Sequence, residues 1–212
     1  MARGAPLIWS VLISLPFLIG GGRILLGMTT LVYPQLLGWA LVVFGLIIVA
    51  IGAYVQRTAP AAVQLSANEY IIDRRHPTQR VATVRLTGGF VFLSVATYLT
   101  YFTQEPLVYP LVALILGLVL FSQGLFTYWA NSLTTYYLTN ERVISEYRFL
   151  SLVRKELPLS KVRGIQENRS LLETVVGLGN VQIAAGGSGH LEIILRNVRD
   201  STGFADHLRE LI

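Results

Sequence analysis

The pattern of hydrophobic and polar positions changes once along the chain, close to residue 130. Before that point, apolar runs are long and nearly free of charge; after it, the runs are short and alternate with polar residues. We predict four membrane-spanning helices from the long runs. They cover Leu7–Met28, Leu36–Val55, Leu86–Phe102 and Leu107–Trp129. The last of these, at about 1.5 Å per residue, is long enough to cross a hydrocarbon core of roughly 30 Å.

Short runs rich in β-branched and aromatic residues follow at once and predict antiparallel strands. The predicted strands cover Thr134–Thr139, Arg142–Tyr147, Val153–Leu157, Lys161–Gln166, Asn180–Ala185 and His190–Leu195. Asn140-Glu141 is the expected tight turn between the first two strands. From Ser201 the period becomes helical, with Phe204, Leu208 and Leu211 on one face. A further short strand is expected within Glu69–Pro77.

Two shorter features interrupt these strands. Ser170 and Glu173 have the spacing of a capping box, and Gly177 suits the end of the short helix that would follow. The run from Gly186 to Gly189 resembles a phosphate-binding loop in its glycine content. No lysine and helix come after it, so we predict the tip of a hairpin.

Glycines recur every seven residues in two of the predicted spans, and this spacing puts them on one helix face. They are Gly38, Gly45 and Gly52 in the second span, and Gly117 and Gly124 in the fourth. A line of small residues lets a neighbouring backbone approach closely, which is how membrane helices commonly associate. The pattern predicts helix packing, and it leaves open whether the neighbour belongs to the same chain.

Charge is distributed unevenly, and its distribution predicts the orientation. Residues 1–129 carry seven arginines, no lysine and three acidic residues, whereas residues 130–212 carry ten basic and nine acidic residues. Five arginines lie in the loop between the second and third spans: Arg57, Arg74, Arg75, Arg80 and Arg85. Short loops rich in arginine face the cytoplasm. We therefore expect both termini and residues 56–86 to be cytoplasmic, with residues 29–35 and 103–106 outside.

The chain thus divides into four regions. Residues 1–56 form an N-terminal transmembrane hairpin and residues 57–85 a cytoplasmic basic loop. Residues 86–129 form a second hairpin, and residues 130–212 a mainly β domain with a C-terminal helix. The expected location is the cell membrane.

Few residues suggest chemistry. The chain contains no cysteine, which excludes disulfides and thiolate sites. His76, His190 and His207 have no second ligand at metal spacing, and no nucleophile or phosphate-loop motif is found. We therefore predict no catalytic residue, no metal and no cofactor, and expect a protein that is not an enzyme.

Transport is the alternative function. Arg23 is the only charge within the four predicted spans, and Gln35 and Gln123 are isolated amides. Charged residues within spans often mark a transport pathway. Arg23 is better explained as a side chain near a helix end that reaches the headgroups. A carrier or channel subunit is therefore the second hypothesis, behind an interaction module.

Basic residues also suggest a surface that contacts the membrane or a partner. The candidates are Arg74, Arg75, Arg80, Arg154, Lys155, Lys161, Arg163 and Arg169. Lysine and arginine close to a bilayer are attracted to anionic lipids without selecting one of them. The expected partners are anionic lipids of the inner leaflet and either another protein or a second copy of the chain. Nucleic acid is not expected.

Three segments in order resemble the bacterial membrane-flanked pleckstrin-homology-like (PH-like) domain. They are Tyr137–Arg142, Glu156–Val162 and Gly177–Val181, and Glu69 with Arg75–Pro77 is similar to the lead-in of those proteins. The resemblance covers about residues 66–212. It implies a barrel-like antiparallel sheet with one end plugged by the C-terminal helix. The basic first loop of phosphoinositide-binding PH domains is missing here, because Asn140-Glu141 is short and not basic.

Overall fold

The chain forms two compact units, residues 1–61 and 62–212, in a computed structural model. The structure describes residues 5–28, 35–58, 63–106, 108–149, 151–170, 174, 177–186 and 192–212. The capping box and most of the glycine run predicted above lie outside these ranges. Four of the described helices have the length and composition to cross a membrane.

The first unit is a hairpin of two such helices, α1 (Pro6–Leu25) and α2 (Gln35–Arg57). The predicted glycine face of α2 lies against α1. A Cβ on Gly45 would fall 2.7 Å from the Leu18 side chain, and one on Gly52 would overlap Ser10. Arg23 is in the last turn of α1, where its guanidinium reaches the Met28 carbonyl.

The second unit begins with another helical hairpin, α3 (Arg80–Phe102) and α4 (Val108–Ser132). The prediction placed the start of the third span at Leu86, and the helix in fact begins six residues earlier. A helix can extend beyond the hydrocarbon core, so polar residues do not mark its end, and Arg80 and Arg85 belong to α3. The two helices approach at Gly89, Gly117 and Gly124, each of which lies against the partner's backbone.

Gly88 and Gly89 offer a matched test of this packing. A Cβ on Gly89 would lie 2.6 Å from the Phe121 backbone nitrogen, whereas one on Gly88 would meet only Leu120 at 4.0 Å. Gly89→Ala should therefore destabilise the α3–α4 pair by about 1–3 kcal/mol, as overpacking usually does. Gly88→Ala should leave it unchanged. Thermal unfolding in detergent micelles would compare the two, and equal melting temperatures would contradict this packing.

Within the described ranges, seven strands form two antiparallel sheets. The first has the order β1-β2-β3-β4 and the second β5-β6-β7. The strands are β1 (Ile71–Arg75), β2 (Thr134–Thr139), β3 (Arg142–Phe149), β4 (Ser151–Pro158), β5 (Val162–Asn168), β6 (Leu178–Ala185) and β7 (Glu192–Arg199). All seven predicted strands are present, most of them one to three residues longer than expected. Lys161, the first residue of the predicted strand Lys161–Gln166, belongs instead to a 3-10 turn over Leu159–Lys161.

The expectation of a barrel needs correction, because the described strands form two sheets that do not close on each other. Strand β1 forms one edge of the first sheet. It pairs with β2, with Arg75 opposite Tyr136, although the whole α3–α4 hairpin separates the two strands in sequence. The edge of β2 is thus already occupied and cannot pair with the second sheet.

The core lies between the two sheets and is covered at one end by α5 (Ser201–Glu210). The Asp200 carboxylate accepts the backbone N–H of Gly203 and caps this helix. Phe204 and Leu208, which share the predicted apolar face of the helix, are buried in the core. Leu211 is not, because α5 ends at Glu210 and the Leu211 side chain is 38 % exposed.

Candidate functional site

The junction between α4 and the sheets is short and held by hydrogen bonds. Only Leu133 separates α4 from β2, and its carbonyl accepts the backbone N–H of Arg148 on β3. The Gln79 amide donates to the Tyr128 carbonyl and to the Ser132 hydroxyl, at 3.1 and 3.0 Å. The start of α3 and the end of α4 are therefore held together where they enter the domain.

A second set of contacts ties the segment before β1 to the turn between β2 and β3. The Glu69 carboxylate is buried and accepts bonds from the Arg142 guanidinium, at 2.8 and 2.9 Å, and from the Thr139 hydroxyl at 2.8 Å. The Asn140 side chain bonds the backbone of Tyr70 and Asn68. The sequence Thr139-Asn140-Glu141-Arg142, on which part of the resemblance rests, thus forms a clamp on residues 64–70.

The same contacts control the protonation of Glu69. The hydrogen bonds from Arg142 lower the pKa of Glu69 to about 2, against the opposing effect of burial. A carboxylate whose pKa is depressed by folding stabilises the fold above its unfolded pKa of about 4.3. That contribution is lost as the pH falls towards 2.

We therefore expect the second unit to lose stability between about pH 4.5 and pH 2, and Glu69→Gln to remove part of this dependence. Urea unfolding of the full chain in a nonionic detergent, repeated across this range, would measure both. Other carboxylates titrate in this pH range as well, so the informative quantity is the difference in unfolding free energy between the wild type and the variant at each pH. A wild type and variant with parallel pH profiles would contradict the assignment.

A cleft of about 750 Å³ lies where the domain ends of α3 and α4 meet the sheets. Val81 and Arg85 of α3 and Phe126 and Thr127 of α4 line it on the helix side. Arg85 lies in the second turn of α3 and donates to the Thr127 hydroxyl at 3.1 Å. The cleft therefore extends about one and a half turns, or roughly 8 Å, along the hairpin.

The sheets supply the opposite wall, including two further cations. Lys155 comes from β4 and Arg196 from β7, and both residues are exposed. The Tyr136 hydroxyl accepts the backbone N–H of Arg196 at 3.0 Å, and burial raises the pKa of Tyr136. The hydroxyl is thus protonated at neutral pH and able to donate. The described lining contains no aspartate or glutamate.

Asn197 also lines the cleft, in a backbone conformation that asparagine tolerates better than most residues. Its φ is 54°, its N–H bonds the Asn180 side chain, and its carbonyl accepts the Thr78 N–H. The Asn197 Oδ1 atom is buried without a hydrogen-bond partner among the described residues. Buried acceptors in this state are uncommon and often mark a site for water or a ligand.

The predicted basic residues do not converge on one surface. Arg154 and Lys155 are consecutive on β4 and point to opposite faces of the sheet. Three of the arginines lie beside carboxylates: Arg75 by Asp73, Arg154 by Glu146 and Arg169 by Glu167, at 2.7, 3.7 and 2.6 Å.

The other members of the predicted set are more scattered. Arg74 stacks over the Tyr137 ring at 5.2 Å, and Arg80 begins α3. Lys161 and Arg163 are exposed where the second sheet begins, and Lys155 alone of the eight lines the cleft.

The histidines are separated too. His76 precedes α3, with its Nδ1 3.3 Å from the Thr135 hydroxyl, and His207 is in the last turn of α5. His190 lies outside the described residues. Within the described ranges, no three His, Cys, Asp or Glu side chains are grouped so that they could hold a metal ion.

Sequence reasoning missed Arg85 and Arg196 as members of one site. Arg85 was counted as part of a loop, and Arg196 fell one residue beyond a predicted strand. No proline interrupts the sequence between Arg80 and Leu86, so that sequence is compatible with a helix that begins at Arg80. No signal in the sequence indicated that α3, β4 and β7 meet.

Comparison with known proteins gives one result. The family described as the bacterial PH domain matches residues 90–212, from within α3 to the end of the chain. Searches of curated proteins and of solved structures give no significant match. The match covers more than half of the chain and includes α4, both sheets apart from β1, and α5. The chain therefore belongs to the bacterial PH domain family.

Proposed function

We propose that this protein is a non-enzymatic membrane module that holds its PH domain against the inner leaflet and presents it for contact with lipids and a protein partner. The observation that carries the proposal is the one-residue connection between α4 and β2. With α4 in the bilayer, so short a connection leaves the domain at the level of the headgroups. Family membership and four helices of membrane-spanning length agree with it.

The direction of the strands supports one orientation of the domain against the bilayer. Strand β2 leaves α4 at Thr134, turns at Asn140-Glu141, and β3 returns with Tyr147 opposite Thr134. The β3–β4 connection is therefore at the helix end. Just after it, Leu152 and Val153 are 51 % and 44 % exposed, which suits contact with lipid.

A depth measurement tests this arrangement. Because the native chain has no cysteine, Leu152→Cys and Glu141→Cys can each carry one environment-sensitive fluorophore. The two sites lie at opposite ends of strands about 20 Å long. In vesicles containing nitroxide-labelled phospholipid, the probe at Leu152 should be quenched and the probe at Glu141 should not. Equal quenching at both sites would contradict the proposed orientation.

The five arginines between the two helical hairpins, from Arg57 to Arg85, support a cytoplasmic location, and this location has its own test. Single cysteines at Ser66 and Gln104, both exposed residues, would be treated with an impermeant thiol reagent on intact cells. We expect labelling only at Gln104, and labelling at Ser66 would reverse the topology.

The structure does not strengthen the alternative of a carrier or channel. The charged residues of the four helices, Arg23, Arg57, Arg80 and Arg85, all lie within two turns of a helix end. The central turns therefore carry no charge that would mark an ion pathway. Ion flux through liposomes that contain the purified protein would revive this hypothesis.

A further inference from the structure

We infer that the cleft between the α3–α4 hairpin and the sheets binds the phosphate-bearing headgroup of a single anionic phospholipid. This deepens the proposed function and rests on it, because the proposed orientation places the helix side of the cleft at headgroup level. Binding of one lipid in this cleft also differs from the attraction of anionic lipids to a basic surface, which does not select a single lipid molecule. The cleft does not coincide with the first loop of the domain, since the Asn140-Glu141 turn is at the far end of β2.

The charge of the cleft favours an anion. Arg85, Lys155 and Arg196 reach it from three separate elements, and none of the described lining residues is acidic. Neither Arg85 nor Arg196 forms an ion pair with a described carboxylate, in contrast to Arg75, Arg154 and Arg169. Arg85 and Arg196 therefore keep positive charge available at the cleft, and a phosphate there would accept charge-assisted hydrogen bonds from them.

The remaining lining favours a lipid over free phosphate. Val81, Phe126 and Val153 give the cleft an apolar wall, and Phe126 is 56 % exposed. Phe126 lies in the second-last turn of α4, where an acyl chain would leave the headgroup. The volume, about 750 Å³, falls within the roughly 300–1,000 Å³ typical of small-molecule sites.

Two uncharged groups indicate what else the headgroup carries. The Tyr136 hydroxyl can donate to a phosphate oxygen, whereas the unpartnered Asn197 Oδ1 can only accept. A headgroup with hydroxyl donors beside its phosphate would satisfy both. Phosphatidylglycerol has that chemistry, and phosphatidylcholine, which has no donor and no net charge, does not.

The test uses the full chain in nonionic detergent and native mass spectrometry. Dioctanoyl phosphatidylglycerol, dioctanoyl phosphatidylcholine and glycerol 3-phosphate would be titrated separately. We expect one tightly bound phosphatidylglycerol, and weaker binding of both other compounds. The variant Arg85→Gln/Lys155→Gln/Arg196→Gln should lower the affinity for phosphatidylglycerol at least about tenfold, since each cation near an anion contributes roughly fivefold.

The matched control removes three cations elsewhere. Lys161→Gln/Arg163→Gln/Arg209→Gln makes the same change in net charge, and its affinity should stay within about twofold of the wild type. If the triple cleft variant does not fold, Arg196→Gln alone, at an exposed position, should lower affinity about fivefold.

Three outcomes would overturn the inference. The first is an equal loss of affinity for phosphatidylglycerol in the cleft and control variants, which would indicate diffuse attraction. The second is glycerol 3-phosphate binding as tightly as the lipid, which indicates a soluble ligand. The third is a cleft variant whose affinity for phosphatidylglycerol equals that of the wild type. The depth measurement at Leu152 is independent of all three, so the cleft can fail while the proposed orientation stands.

Discussion

Replacing Arg142 with glutamine should destabilise the second unit of the chain. Removing one partner of a buried ion pair usually costs roughly 3–5 kcal/mol, and we expect a loss near the lower end of this range. Arg142 donates to Glu69 and to Glu156, and the Glu69 side chain is fully buried. The variant leaves that carboxylate without its cation in a place where water cannot replace it. Arg142 itself is about one-quarter exposed, which moderates the cost.

A buried cysteine provides the readout, since no other thiol is present. Val181 is fully buried in the core, so the rate at which Val181→Cys is labelled in increasing urea reports unfolding of the domain. Arg209→Gln is the matched control, because its pair with Asp206 is exposed and worth about 0.2–1 kcal/mol. Adding Glu69→Gln to Arg142→Gln should recover part of the loss. No recovery would mean that the two side chains act separately.

Replacing Leu208 with alanine should cost about 2–5 kcal/mol, because its side chain is fully buried between α5 and the sheets. Leu211, three residues later, is exposed beyond the end of α5. Leu211→Ala should therefore change stability by less than about 0.5 kcal/mol. The same cysteine assay would measure both substitutions, and equal effects would show that α5 is not docked through Leu208.

Local patterns predicted the elements of this fold well, and long-range contacts poorly. The four long helices follow from the length of the uncharged apolar runs, and the seven described strands follow from short runs rich in β-branched and aromatic residues. The bounds were less accurate where a helix leaves the membrane, as at Arg80, since helix propensity does not end where hydrophobicity does. Family resemblance led to a barrel, and the pairing of β1 with β2 could not be foreseen because α3 and α4 lie between them.

The candidate site shows the same limit. Each of Arg85, Lys155 and Arg196 looks ordinary within its own segment, and only the fold brings them to one cleft. The residues of the clamp were visible in the sequence as parts of a motif. Their role was not, because Glu69 contacts Arg142 only through the antiparallel register of β1 and β2.

The position of β1 also determines the order in which this protein can be assembled. During synthesis β1 emerges before α3, and its partner β2 emerges only after α4. The first sheet therefore cannot be completed until both helices have been made. In the proposed membrane arrangement, we expect a helix inserted with the wrong orientation to leave β1 and the clamp residues without partners, so that the domain would fold only after correct insertion of the hairpin before it.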